Sequence, residues 1–104
     1  MISINGKRWR VRLVSPSNPF LITNRGTLAL GCCDKLTQTI YISNALSKTM
    51  IKKVLCHELV HAFMCSYNII LNYQEEELVA DLIATYGDEI IALTNLTYDK
   101  FKFI

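Results

Sequence analysis

A chain of 104 residues, 51% of them hydrophobic and only 19% charged, holds enough apolar material for one compact core, so residues 1–104 are expected to form a single domain. The net charge of +2 singles out no polyanionic partner, and no run approaches the roughly 18 to 20 consecutive apolar residues of a membrane helix. The opening Met1-Ile2-Ser3-Ile4-Asn5-Gly6-Lys7-Arg8 puts its charges after the apolar residues, the reverse of a secretory signal; the expected compartment is the cytoplasm, where Cys32, Cys33, Cys56 and Cys65 stay thiols.

In chain order, Lys7 to Ser15 reads as the first strand, because Trp9, Val11 and Leu13 alternate with Arg8, Arg10 and Arg12. The arginines read as a solvated face, and nucleic acid is not an expected partner. Ser15 to Pro19 is a loop. Thr27 to Cys33 and Gln38 to Ser43 lean towards strand, with a hairpin turn at Asp34 to Thr37. The spacing then turns helical. Ser47 can cap a helix to about Tyr67, with Met50, Ile51, Val54, Leu55, Leu59 and Val60 near a 3.6 period. A second helix is predicted from about Gln74 to Tyr86, stopped by Gly87, with Asp88 capping a short last helix through Leu93. Strands followed by helices predict an α+β fold, a small three-stranded, mostly antiparallel sheet packed on the two helices.

The chemistry is concentrated in Cys56-His57-Glu58-Leu59-Val60-His61, which contains the pattern H-E-x-x-H. Residues four apart share one helix face, about 5 to 6 Å apart, so His57 and His61 can converge on one tetrahedral zinc. Glu58 follows the first histidine and can reach a water in the open coordination position as general base. Both histidines of the chain fall in this motif, and a buried helix carrying His, Glu and His without a metal would hold polar groups for no gain.

A catalytic zinc usually takes a third protein ligand, and the second predicted helix offers Glu75-Glu76-Glu77 and Asp81. Glu77 is favoured because Asp81, four residues on, can accept the remaining N–H of His57 or His61. Glu76 and Asp81 stay open as ligands in its place, and Glu75 reads as an acidic first turn facing the helix dipole.

His57 to Phe63, together with Glu77-x-x-Ala80-Asp81, resembles the zincin metallopeptidases that use a glutamate third ligand. Gly31 to Asp34, Thr39 to Ser43 and Asp81 to Ala84 are similar to the short ImmA/IrrE-like proteins of phages and prophages, and the likeness covers roughly residues 27–92. The resemblance implies Zn²⁺ held by His57, His61 and Glu77, with Glu58 as base and Asp81 in support. It implies a protein or peptide substrate, a phage or prophage regulatory protein among them, and a strand at Gln38 to Ser43 that serves as an edge for an extended substrate. Three other readings compete. One is a non-catalytic zincin-like module that binds a protein partner, one a structural zinc closed by Cys65, and one a DNA-associated protease resembling the SprT-like group, supported by Arg8, Arg10 and Arg12.

Overall fold

The computed structural model describes residues 1–101. Four strands form one sheet: β1 (Ile2–Ile4), β2 (Lys7–Val14), β3 (Gly31–Asp34) and β4 (Thr39–Ser43). Two helices follow, α1 (Lys48–Ser66) and α2 (Tyr73–Tyr98). The α+β class is as expected; the sheet has one strand more than expected.

The extra strand is β1, too short for periodicity to reveal. Its turn was nonetheless written in the chain. Asn5 and Gly6 take φ of 50° and 75°, as a two-residue hairpin loop requires, and Asn-Gly meets that demand at little cost. The spatial order is β1-β2-β4-β3. β1 pairs antiparallel with β2, and β3 with β4, while β2 and β4 run parallel with Val11 opposite Ile40 and Leu13 opposite Ile42. β4 is therefore interior, and all five of its residues are buried. This corrects the expectation that Gln38 to Ser43 is an edge. The edge on that side is β3, because the hairpin returns β4 to the middle of the sheet. The expected strand from Thr27 starts only at Gly31, and the stretch before it makes a single bridge, Ile22 to Leu28.

One sheet face carries Trp9, Ile40 and Ile42, which pack with Ile4 against Val54 and Ala62 of α1. The expected apolar row of β2 is only partly core: Trp9 is fully buried but Leu13 is 58% exposed, because α1 lies over β3, β4 and β1. Trp9 Nε1 donates to Ser66 Oγ at 2.8 Å and Asn5 Nδ2 to the Ser66 carbonyl at 3.0 Å, so the first hairpin is tied to the last turn of α1. On the opposite face, Val14 and Tyr41 pack with Leu21, and Phe20 stacks on Tyr41.

Ser47 caps α1 as expected, its hydroxyl accepting from the Met50 N–H. The second predicted helix does not stop at Gly87. Tyr73 to Tyr98 is one helix of 26 residues, and Asp88 is interior to it, opposite Lys52 at 3.8 Å. A glycine in a helix costs only about 1 kcal/mol against alanine, too little to end a helix by itself. No helix among the described residues is long and apolar enough to cross a membrane.

β3 and α1 approach closely at Gly31. A Cβ there would lie 2.6 Å from Val54 Cγ1 and 3.1 Å from Glu58 Oε2. Gly31→Ala is expected to destabilise the protein by about 1–3 kcal/mol through overpacking, as read by chemical denaturation. Since the nearest atom belongs to Val54, adding Val54→Ala should recover part of that loss; an alanine tolerated without cost would show that strand and helix separate easily.

Candidate metal centre and active site

α1 presents Val54, Glu58, His61, Ala62 and Cys65 on its inner stripe, at spacings of three and four residues, with His57 beside it. Glu58 therefore occupies a position that the helix would otherwise fill with an apolar residue. It is only 8% exposed, under Gly31 of β3.

α2 brings the opposing side chains, and its three consecutive glutamates do three different things. Glu75 closes a capping box: its carboxylate accepts from the Asn72 N–H at 3.1 Å, and its own N–H donates to Asn72 Oδ1 at 2.8 Å. Glu76 is buried against His61, with Oε1 2.7 Å from Nδ1. Glu77 faces the other nitrogens, with Oε1 2.8 Å from His61 Nε2 and Oε2 3.4 Å from His57 Nε2. One turn on, Asp81 Oδ1 lies 2.9 Å from His57 Nδ1. The chain reverses so tightly between Ser66 and Asn72 that this antiparallel meeting follows from the loop length.

An ionised carboxylate only accepts hydrogen bonds, so each Nδ1 carries the hydrogen that it shares with Asp81 or Glu76. Each neutral imidazole then presents a bare lone pair at Nε2. The two Nε2 atoms are 3.2 Å apart, and the Glu77 oxygens lie beside both. With both rings neutral, three acceptors crowd one point. Such a group is stable around a cation. Metal–ligand bonds of about 2.0–2.1 Å in a tetrahedron put neighbouring ligand atoms about 3.3 Å apart, close to the separations here. His57, His61 and Glu77 are also the set among the described residues whose donor atoms all lie within 4.8 Å of one another.

The structure thus brings His57, His61, Glu77 and Asp81 together, with Glu58 on the adjoining stripe. Glu76 stands on the far side of His61 from Glu77, so it holds a ring in place and does not compete for the shared point. Sequence reasoning had treated it as a rival ligand and had missed that two carboxylates, one per histidine, would be needed to fix two tautomers. Lys35 Nζ, 3.4 Å from Glu76 Oε1, was also missed, since nothing in the chain links a turn residue to a helix 41 positions on. Burial acts to raise the Glu76 carboxyl, but the His61 hydrogen bond and the Lys35 ammonium outweigh it and hold the group below its ordinary range.

Burial pushes the Glu58 carboxyl up to about 7, with His57 pulling against the shift and the Glu77 carboxylate adding to it. A cavity of about 270 Å³ opens beside Glu58 and His57, walled by Leu30, Met50, Val54 and Ala84. A second, of about 470 Å³, lies beyond Gly31 on the His61 side and is bordered by Phe20, Asn24, Lys35 and Tyr73. The two flank the paired histidines along β3.

Cys65 packs against the core cluster and stays out of the ligand group. Burial and the Glu58 charge push the Cys33 thiol up to about 12, so it is a neutral packing group. Of the tyrosines considered as oxyanion partners, Tyr73 borders the larger cavity, whereas Tyr67 stacks with Phe63 and Tyr86 faces away from α1. Arg10 and Arg12 project from the sheet face opposite α1, with the Arg12 guanidinium 5.9 Å from the Tyr41 ring centre.

Comparison with curated proteins and with solved structures found no match to the chain. The model of the family Peptidase_M78, described as the IrrE N-terminal-like domain, matches residues 14–94, a span that includes α1 and the part of α2 bearing Glu77 and Asp81. The chain belongs to this metallopeptidase family.

Proposed function

We propose that this protein is a zinc-dependent peptidase that hydrolyses peptide bonds in a protein substrate, with His57, His61 and Glu77 holding the metal and Glu58 acting as general base. The supporting observation is the meeting of the Glu77 carboxylate with two imidazoles whose other nitrogens are already engaged by Asp81 and Glu76. Two nitrogens and a carboxylate suit zinc, and three protein ligands leave a coordination position open, as hydrolytic sites require. The chemistry such an ion supplies when bound is Lewis acidity, which polarises a carbonyl and acidifies water.

The chain's own residues do the rest. Asp81 and Glu76 hold the two imidazoles in one tautomer and one orientation. Glu58, with a carboxyl near 7, is suited to accept a proton from the attacking water and deliver it to the leaving amine at neutral pH. The free edge of β3 offers backbone groups to an extended substrate segment, and the apolar cavity by Met50 and Val54 can take one of its side chains. On the resemblance to phage and prophage relatives, a regulatory protein is the substrate class we favour.

Elemental analysis of the purified protein should find about one zinc per chain, lost in His57→Ala and in Glu77→Ala while circular dichroism shows the fold retained. Full zinc in Glu77→Ala would remove Glu77 from the ligand set. Asp81→Ala and Glu76→Ala should each weaken zinc binding by about 10- to 100-fold in a competitive chelator titration. Glu58→Gln should keep the metal but slow cleavage of a fluorogenic peptide library by about 10²- to 10⁴-fold. A partner-binding module without catalysis would show no cleavage in either form.

A further inference from the structure

α2 is longer than the body it packs on. Lys52, in the second turn of α1, lies opposite Asp88, so the residues beyond about 92 extend past the start of α1. At 1.5 Å per residue, Leu93 to Tyr98 overhangs by about 9 Å. Ala80 is buried against α1, and Ala84 and Gly87 continue that inner face. The opposite face carries Leu78, Leu82, Tyr86, Leu93 and Leu96, at spacings that keep them in one line, with Ile83 and Ile90 along its flank. These seven are between 40% and 69% exposed. Between Leu82 and Tyr98 the only charged residues are Asp88 and Glu89, and none is basic.

An apolar stripe that runs the length of a helix, on the side away from its own core, is far more than a monomer ordinarily leaves in water. We infer that this stripe is a homodimer interface, in which α2 pairs antiparallel with α2 of a second copy, so that Leu82 of one chain meets Leu93 of the other. Three observations select this occupant. Seven large side chains, each about half exposed, amount to on the order of 700 Å² per copy, close to the roughly 800 Å² per partner of a standard stable interface. Leu82 and Leu93, and nearly so Leu78 and Leu96, lie at equal distances from a centre beside Gly87, so a two-fold axis there pairs leucine with leucine, with Glu89 the one charged residue on the line near the axis. Each overhang needs cover, and in the antiparallel arrangement it rests on the exposed leucines of the partner's first turns, with the two bodies at opposite ends.

This inference is independent of the peptidase reading. The site faces α1, whereas the stripe faces away, so metal content and oligomeric state report separately. Sedimentation equilibrium of the full chain at micromolar concentration should give a dimer. Leu82→Glu and Leu93→Lys, each alone, should give monomers with unchanged circular dichroism and zinc content. Mixing the two variants should restore a 1:1 dimer, since the antiparallel pairing sets the new glutamate against the new lysine. A monomeric wild type at all concentrations would overturn the proposal, and so would a dimer that survives both substitutions. Single variants that are monomeric but fail to recombine would overturn the antiparallel arrangement.

Discussion

The meeting of two imidazoles and a carboxylate at one point is the constraint around which the two helices are arranged. His57 Nε2, His61 Nε2 and the Glu77 carboxylate lie 2.8–3.4 Å apart. Asp81 and Glu76 engage both Nδ1 positions, so with the rings neutral the facing atoms are lone pairs that repel. A positive charge at the shared point converts the repulsion into attraction. It also cross-links α1 to α2, which matters in a chain of 104 residues, where the hydrophobic core alone supplies a small margin of stability. Where metal binding depends on groups from both helices, its free energy becomes folding free energy.

The same crowding explains why Glu58 sits where it does. On the inner stripe of α1 a carboxylate is costly, and burial raises its pKa accordingly. β3 accepts it only because position 31 is glycine, which lets the strand backbone approach within contact of Val54 and Glu58. The strand that covers the glutamate is also the sheet's open edge, so one element both desolvates Glu58 and borders the cavities on either side of it. A larger residue at position 31 would lift the strand and let water in around the carboxylate.

The sequence announced the parts of this arrangement that depend on local spacing. His57, Glu58 and His61 are fixed relative to one another by 3.6 residues per turn, and Glu77 and Asp81 likewise, so each group could be read from its own helix. What joins the groups is tertiary and left a fainter trace. Three adjacent glutamates point in three directions 100° apart, and only the docking angle of α2 decides which faces the nitrogens. Glu75 separates from the other two on local signals alone: it belongs to the acidic first turn, and Asn72-x-x-Glu75 is a capping signature that occupies its carboxylate. The position of β4 was misjudged for a related reason. A strand reached through a hairpin looks like an edge when its other neighbour, the parallel β2, lies a long loop earlier in the chain.

Gly87 shows the limit of local signals most clearly. As a helix stop it would have ended α2 level with the second turn of α1 and left a compact pair. The backbone stays helical there because a stop glycine acts by entering the left-handed region, and Gly87 is not among the glycines with positive φ. A Cβ at position 87 would meet only Ile83 of the same helix, at 3.3 Å, so the glycine sits in the helix as a small residue in line with Ala80 and Ala84. The helix therefore outruns its support with a long uncharged segment. A single exposed leucine carries no message in a soluble protein, but a line of them opposite the packed face does. The inner face of α2 is polar where it meets the histidines and small where it meets α1, so nearly all of its large apolar side chains are displaced to the outside. Such a helix offers Glu77 and Asp81 to the histidines on one face and its leucines to the surroundings on the other.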